Sequence, residues 1–459
     1  MESVSLVTKN EPAGQWRVRQ GRAIVWLVVV GTGALDVVNG FIRTIGLASD
    51  IPVSPGDMGR GLLLLVAVMV MVAFRPACLS GLLKTFLILT GLIVLGPING
   101  LFQHYSTAAL QFDIVNAAKV LYGPALVILF ITVFIKSTVS FKEILDAIRG
   151  WGGLVGSSLV GFKLFGVGNG TYGSYASAFK GLFIAQNDVG LGLVISVCIA
   201  AYQFSKAPKI SRLCVFLLIE AGMFVLGTRV ASLGAIFIPA LIFLVTRPRG
   251  VRMSSGVIKA GVGVFLLLIT VVLAYQVSTT VTSENYQENK FSELSQGKFT
   301  RVHLMNGALM AVKKRGTRAM LIGEGADEYQ RRVAEAMHLA RRRRKAEINW
   351  LDFYGSYGII FTIGIYLFYL VALRRSLTVK LVDSPKFAWI AGLSVGVYIL
   401  HGTLAGHAMS SPIPTTLVAP IIAAVWLRQY KNKTLLSTDP IAPERAIDHL
   451  RRVAFCKSS

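Results

Sequence analysis

Charge is what this chain has least of. Asp, Glu, Lys and Arg make up 15% of its 459 residues, against 54% hydrophobic, where soluble domains carry about 25% charged residues. That shortage excludes an ordinary soluble domain, and the mean hydropathy of +0.61 agrees. The chain reads as an integral membrane protein. Cysteine is scarce as well. Cys78, Cys198, Cys214 and Cys456 have no metal-ligand spacing and suggest no disulfide pair. No internal repeat or low-complexity tract stands out. No cleavable signal peptide is evident either: about twenty polar residues precede a first apolar run that lacks a small-residue cleavage site, so the run reads as a signal anchor.

What the chain does have is long apolar runs. A span needs about 20 apolar residues, and twelve stretches qualify, near 23–41, 60–75, 82–102, 114–135, 151–167, 181–203, 213–227, 230–246, 257–276, 355–373, 387–402 and 412–428. The expected fold is all-α, a polytopic membrane helix bundle of about 12 transmembrane helices with one long helical loop. The parts are a tail over 1–22, spans 1–9 over 23–276, the loop over 277–350, spans 10–12 over 351–428 and a second tail over 429–459. The glycine-rich stretch 151–167 carries Lys163, which a span accommodates by snorkelling or by facing a cavity.

Acidic residues are the scarcer charge, 23 against 47 basic ones. The basic residues are unevenly placed. With the N-terminus inside, the inside connections hold Arg75, Lys84, Lys136, Lys142, Arg149, Lys206, Lys209, Arg212, Arg247, Arg249, Arg374 and Arg375, while the short outside ones hold only Arg43, Arg60, Lys180 and Arg229. The positive-inside rule then puts both termini in the cytoplasm and the long loop outside. The loop is basic all the same, with Arg301, Lys313, Lys314, Arg315, Arg318, Arg331, Arg332 and the run Arg341–Lys345. Long domains translocate largely regardless of charge, and a basic domain on that face suits phosphate, pyrophosphate or an acidic polysaccharide. Nucleic acid is not a partner there. The alternative for Arg341–Arg344 is a solvated helix surface. Apolar spacing from Phe299 to Val312 predicts one loop helix, Leu321–Gly325 a turn, and Ala326–Lys345 a second, polar helix.

Three polar constellations flank that loop. Arg229 joins two spans with almost no linker, which predicts a guanidinium packed against protein at the membrane edge, either binding a ligand or snorkelling to headgroups. Lys180 opens another span, with Asn187 and Asp188 about two turns inside it; that pair braces neighbouring helices or meets a basic partner. Glu347, Asn349 and Asp352 lead from the loop into the next span, where carboxylates suit pairing with loop arginines or general-base work. His401 and His407 bracket the outer end of the eleventh span, either as structural histidines or as groups titrating near neutrality.

In this order the motifs resemble the superfamily of bacterial O-antigen ligases and O-antigen or exopolysaccharide polymerases. The resemblance covers roughly residues 175–410. It rests on Lys180, Gly181, Phe183 and Asn187 opening a span, on Arg229 and Ser232 at an outer hairpin, and on Arg301 starting the first loop helix. The Gly323–Gly325 turn and the polar run from Glu347 to Gly358 complete it. It implies a metal-independent, inverting membrane glycosyltransferase of the bacterial inner membrane, multi-pass, with its long loop periplasmic. The donor would be an oligosaccharide on undecaprenyl pyrophosphate. Arg229 and Arg301 would hold the pyrophosphate, and Glu347 is the candidate base. Lys180, Asn187, Asn349, Asp352 and His407 would line the substrate site. Membrane lipid, a flippase and a chain-length regulator of the same pathway are the implied partners. Ligases show His-x-Asn where this chain has Glu347-Ile348-Asn349, a departure that favours a repeat-unit polymerase over a ligase. The rival of another class is a transporter or flippase of lipid-linked sugars.

Overall fold

A computed structural model describes residues 12–44, 55–73, 80–101, 106–137, 139–170, 178–246, 300–313, 315–339, 343–379, 385–404 and 406–438. Among them are fourteen α-helices. In chain order, α1 (Pro12–Thr44), α2 (Pro55–Ala73), α3 (Ser80–Leu101), α4 (Thr107–Ser137) and α5 (Phe141–Leu164) come first. A two-stranded antiparallel ribbon follows, β1 (Asn169–Gly170) with β2 (Phe179–Gly181), then α6 (Gln186–Lys206), α7 (Ile210–Leu226) and α8 (Arg229–Val245). Three loop helices come next, α9 (Thr300–Lys313), α10 (Thr317–Ile322) and α11 (Ala326–Ala336). The last are α12 (Asn349–Thr378), α13 (Pro385–Leu404) and α14 (Pro412–Thr438), with a 3₁₀ turn at Ala408–Ser410.

Among the described residues seven helices are long and apolar enough to cross a membrane: α1, α2, α3, α4, α6, α12 and α13. They coincide with seven of the twelve expected spans. Arg229–Val245 and Pro412–Arg428 are apolar but shorter. The 17-residue α7 and the amphipathic α5 fall in neither group, and the stretch expected at 257–276 lies outside the described residues. The protein is a polytopic helical membrane protein. Its packing shows why some of its helices read so differently. Over Val120–Ile131 every residue of α4 is buried, and α6 is buried from Val189 to Phe204. By contrast α2 turns Leu62, Leu65, Met69 and Val72 outward, and α12 does the same with Ile363 and Leu367. An apolar exterior on that scale is a lipid-facing one. Inside, Tyr398 bonds Thr415 at 2.8 Å and Tyr369 at 3.3 Å, and Tyr122 bonds Thr416 at 3.1 Å. These bonds tie α14 to α4, α12 and α13 just below its first turn.

The loop helices form a cap on one end of this bundle, and a kink in α12 makes the joint. Gly358 takes φ +79° inside the helix, which interrupts the i to i−4 ladder and frees carbonyls in the turn before it. Those carbonyls are taken by the cap. Arg315 donates to Tyr354 O at 3.3 Å and to Gly355 O, and the Gly325 N–H donates to Ser356 O at 2.9 Å. Arg315 is itself fully buried, bonded to Glu324 Oε1 at 2.7 Å and stacked on the Tyr329 ring. Burial pushes the Glu324 carboxyl above its ordinary range, against the pull of Arg315 and Arg332. The turn that carries Glu324 is the expected Gly-x-Gly turn, and Asn99 on α3 donates to its Gly323 O at 3.1 Å. Asp113 on α4 accepts from Asp327 N at 2.7 Å, a carboxylate placed at the N-terminus of α11.

The first expected loop helix matches α9. The second stops early: α11 ends at Ala336, His338 takes φ +53°, and residues 343–348 are non-helical. Arg343, Arg344 and Lys345 are therefore on no helix surface. Residues 343–348 form a strap that the two arginines fasten, Arg343 to Asp327 and onto the Phe112 ring, Arg344 to Glu347 at 3.0 Å. Arg341 and Arg342 lie outside the described residues.

A side chain at Gly323 would meet Ser356 O at 2.3 Å, at a φ of +82°. Gly323→Ala is expected to cost more than the roughly 1–3 kcal/mol of a strained backbone position, because the cap must also move off α12. Gly316→Ala, where nothing lies within 4 Å, is the control. Thermal unfolding of the purified protein checks both; equal midpoints would contradict the joint.

Candidate functional site

Beneath the cap, at the same end of the bundle, lies a cavity of about 260 Å³. Asp36 and Arg43 come from the C-terminal half of α1, Asp57 and Arg60 from the first turns of α2, and Lys119 from α4. Phe183–Val189 bring the start of α6, His407–Ile413 the start of α14, and Lys345 descends from the strap. Three helices therefore point their N-termini at one space. α6 begins without a side-chain cap at Ala185, and in its first turn the Asp188 N–H donates to Ala185 O at 3.1 Å.

The charges in the cavity sort by partner. Asp36 is bonded to Arg60, and Asp57 lies 3.5 Å from Lys119. Among the described residues Arg43 and Lys345 close no ion pair. Lys345 lies in the field of Asp352, Asp188 and Glu347, and burial lowers its ammonium below the ordinary lysine range. Two cations and three helix N-termini outweigh the one remaining carboxylate, Asp188.

One edge of the site is more tightly constructed. Asn349, the first residue of α12, is fully buried. Its amide donates to Gly406 O at 3.2 Å and accepts from Met409 N at 2.8 Å. Those two bonds straddle His407. One turn along α12, Asp352 Oδ1 accepts from Ala346 N at 2.9 Å, and its Oδ2 faces His407 Nδ1 at 3.7 Å.

Of the polar residues singled out beside the loop from sequence, Asp188 and His407 line the cavity. Asp352 stands directly behind His407. Asn349 is a brace, its polar atoms consumed by backbone. Glu347 is paired with Arg344, on a strained φ of +60°, and is absent from the cavity wall. Asn187 and Asp188 sit in the first turn of α6, two turns shallower than expected, because residues 179–181 form a strand and Gly181 at φ +59° turns the chain before the helix starts. Lys180 lies on that strand, half-buried, three residues before the cavity wall at Phe183. Its neighbour Phe179 carries Lys163 over its ring at 5.4 Å, so Lys163 neither enters a cavity nor stands alone. Arg229 is exposed rather than packed against protein; it follows the capping Thr228 at the start of α8. Arg301 is the second residue of α9, and its side chain lies outside what the structure describes.

Sequence reading did not place Asp36, Arg43, Asp57, Arg60 or Lys119 in a site, and it named Lys345 only within the basic run of the loop. The signal was there in part: acid and base inside otherwise apolar spans, Asp36 seven residues before Arg43. Their convergence was not visible, since it depends on which helices pack together.

Arg60→Met is expected to lower stability by about 1–3 kcal/mol by leaving Asp36 uncompensated, and Arg60→Met with Asp36→Leu to recover most of it. Thermal unfolding of the single and double variants measures this. A double variant no better than Arg60→Met would show that the two do not form a pair.

No protein-family model matches the chain, and no curated protein matches it. What composition and structure establish is a polytopic helical membrane protein.

Proposed function

We propose that this protein polymerises oligosaccharide repeat units carried on undecaprenyl pyrophosphate, for exopolysaccharide, capsule or O-antigen synthesis. It would work at the periplasmic face of a bacterial inner membrane, with about twelve spans and both termini cytoplasmic. The observation that carries the reading is the convergence of three helix N-termini on the cavity that Arg43 and Lys345 line, neither closing an ion pair among the described residues. Helix N-termini and such cations stabilise phosphate oxygens. In glycosyl transfer the leaving pyrophosphate gains charge as its bond to the anomeric carbon breaks, so preorganised positive charge there lowers the barrier.

The location fits an amphipathic donor. The cavity takes Asp57 and Arg60 from the first turns of α2, and the same helix turns Leu62, Leu65 and Met69 outward. A polyprenyl chain would lie along that apolar face while its pyrophosphate reaches inward. The charge asymmetry of the connections supports the periplasmic placement of this end. Arg229 and Arg301 stay in the proposal as a second pair of phosphate contacts through the family resemblance. A flippase and a chain-length regulator remain the proposed protein partners.

A ligase transferring the finished glycan to lipid A-core shares this donor chemistry. Lipid-linked intermediates in a deletion strain separate the two: single repeat units accumulate if a polymerase is lost, long chains if a ligase is lost. A transporter of lipid-linked sugars is less well supported, since transporter sites lie near the membrane midplane between repeated halves, whereas this cavity lies at one bundle end.

Purified protein with synthetic lipid-linked repeat units is expected to extend chains in the presence of a metal chelator. Lys345→Ala or Arg43→Ala should reduce kcat by about 10²–10³-fold, the usual size of a lost oxyanion contact. Burial lowers the Lys345 ammonium, so its charge is lost earlier as pH rises than for an ordinary lysine near about 10.4. Donor affinity should fall on the alkaline side, and Lys345→Arg should extend the range upward. Full activity in both alanine variants would contradict the anion assignment.

A further inference from the structure

Two acceptors on α1 share the cavity wall, and the fold supplies neither with a donor. Asp36 and Asn39 both line the cavity and lie three residues apart, which puts them on one face of the helix. Both are more than nine-tenths buried, with 8% and 6% of their surface exposed. Asp36 spends Oδ1 on Arg60, while its Oδ2 meets no hydrogen-bond donor among the described residues. Asn39 Oδ1 meets none there either. A side chain at Gly56 would touch Arg60 Nη1 at 3.3 Å and Asn39 Nδ2 at 3.4 Å, so the first turn of α2 closes on the group from one side. Leaving a buried acceptor without a donor costs stability. Two of them on one helix face, opening on a cavity, mark a place where a ligand brings the donors.

Chemistry narrows that ligand. A carboxylate and an amide oxygen accept hydrogen bonds, and ionised phosphate oxygens have no proton to give them. Neighbouring hydroxyls of a sugar ring do, and a hydroxyl bound to a carboxylate makes a charge-assisted bond. Arg60 keeps the Asp36 charge compensated once the ligand has displaced water. Arg43 follows Asn39 by one further turn of α1 and lines the same cavity. One helix thus presents acceptors for hydroxyls and then a cation for phosphate.

We infer that Asp36 and Asn39 form a sugar-binding subsite that reads adjacent hydroxyls of the saccharide attached to the pyrophosphate. This rests on the transfer reading above and adds the residues that select the sugar. Asp36 Oδ2 takes one hydroxyl and Asn39 Oδ1 takes the next. A sugar whose hydroxyl points away from the pair leaves a buried acceptor unpaired, and that loss is the basis of selection.

The test is equilibrium binding to the full-length protein in lipid nanodiscs, with two kinds of probe. One is bare undecaprenyl pyrophosphate; the other is the same lipid carrying glucose, galactose or the N-acetylated amino form of either. Wild-type protein should bind at least one sugar-bearing lipid about 10-fold more tightly than the bare lipid, the size of one or two hydrogen bonds. Asn39→Leu, similar in shape, should lose about 5–10-fold of affinity for that sugar-bearing lipid and none for the bare one. It should unfold no earlier than wild type, since the oxygen it removes has no partner in the fold. Asp36→Asn keeps an oxygen for Arg60 but turns an N–H₂ group toward the cavity, and should lose the preference too. Equal wild-type affinity for bare and sugar-bearing lipids would overturn this inference while leaving the pyrophosphate reading intact. So would a preference unchanged in both variants. An earlier-unfolding Asn39→Leu would make Asn39 a structural contact and remove it from the subsite. A wild-type protein that binds neither lipid would overturn both readings.

Discussion

The buried guanidinium of Arg315 is the contact on which the rest of the site depends. It lies in the cap, yet its partners come from both sides of the joint: Glu324 from the cap, Tyr354 O and Gly355 O from the kinked turn of α12. Removing such a charge from water is expensive, and breaking a buried pair on one side costs about 3–5 kcal/mol. The arrangement is stable because every acceptor is supplied by a structural irregularity. Without the kink at Gly358 those carbonyls would stay in the helical ladder, and Arg315 would have only Glu324. Without φ +82° at Gly323 the turn carrying Glu324 would not fit against Ser356. Helix kink, glycine turn and buried arginine are one device.

That device sets the position of the strap. From α11 the chain runs through residues 343–348 back to the start of α12, anchored by Arg343 on Asp327 and Phe112 and by Ala346 on Asp352. Lys345 lies between those anchors and enters the cavity. The cavity is therefore shared: the bundle provides Arg43, Asp188, His407 and the helix N-termini, and the cap provides the last cation. A bundle without its cap would keep the helix ends but lose Lys345 and the ordered edge behind His407.

Much of this was legible in the chain. Low charge and long apolar runs gave the class, the 3.6-residue spacing gave α9, and Gly323–Gly325 read as a turn. The run Glu347–Gly358 was visible as a polar motif entering a span, and the resemblance placed Asn349 in a substrate site; in the structure its amide meets backbone groups of a neighbouring loop. Arg341–Lys345 looked like one feature because five cations in a row suggest a solvated face. They separate once α11 ends at Ala336, an ending that no glycine or proline announces. Arg315 was hidden among the thirteen other lysines and arginines of residues 277–350, since burial is decided by α12's kink and not by Arg315's own neighbours in sequence. Arg43, Arg60 and Lys119 were hidden for a related reason: they come from three helices whose adjacency is a fact of packing.

The central claim is that Arg315 fastens the cap and so completes the cavity. Hydrogen–deuterium exchange of the wild-type protein and Arg315→Met, read peptide by peptide in nanodiscs, tests it directly. Faster exchange is expected in Arg315→Met across 315–348 and around 354–358, with α4, α6 and α13 unchanged. Unchanged protection over 315–348 would contradict it.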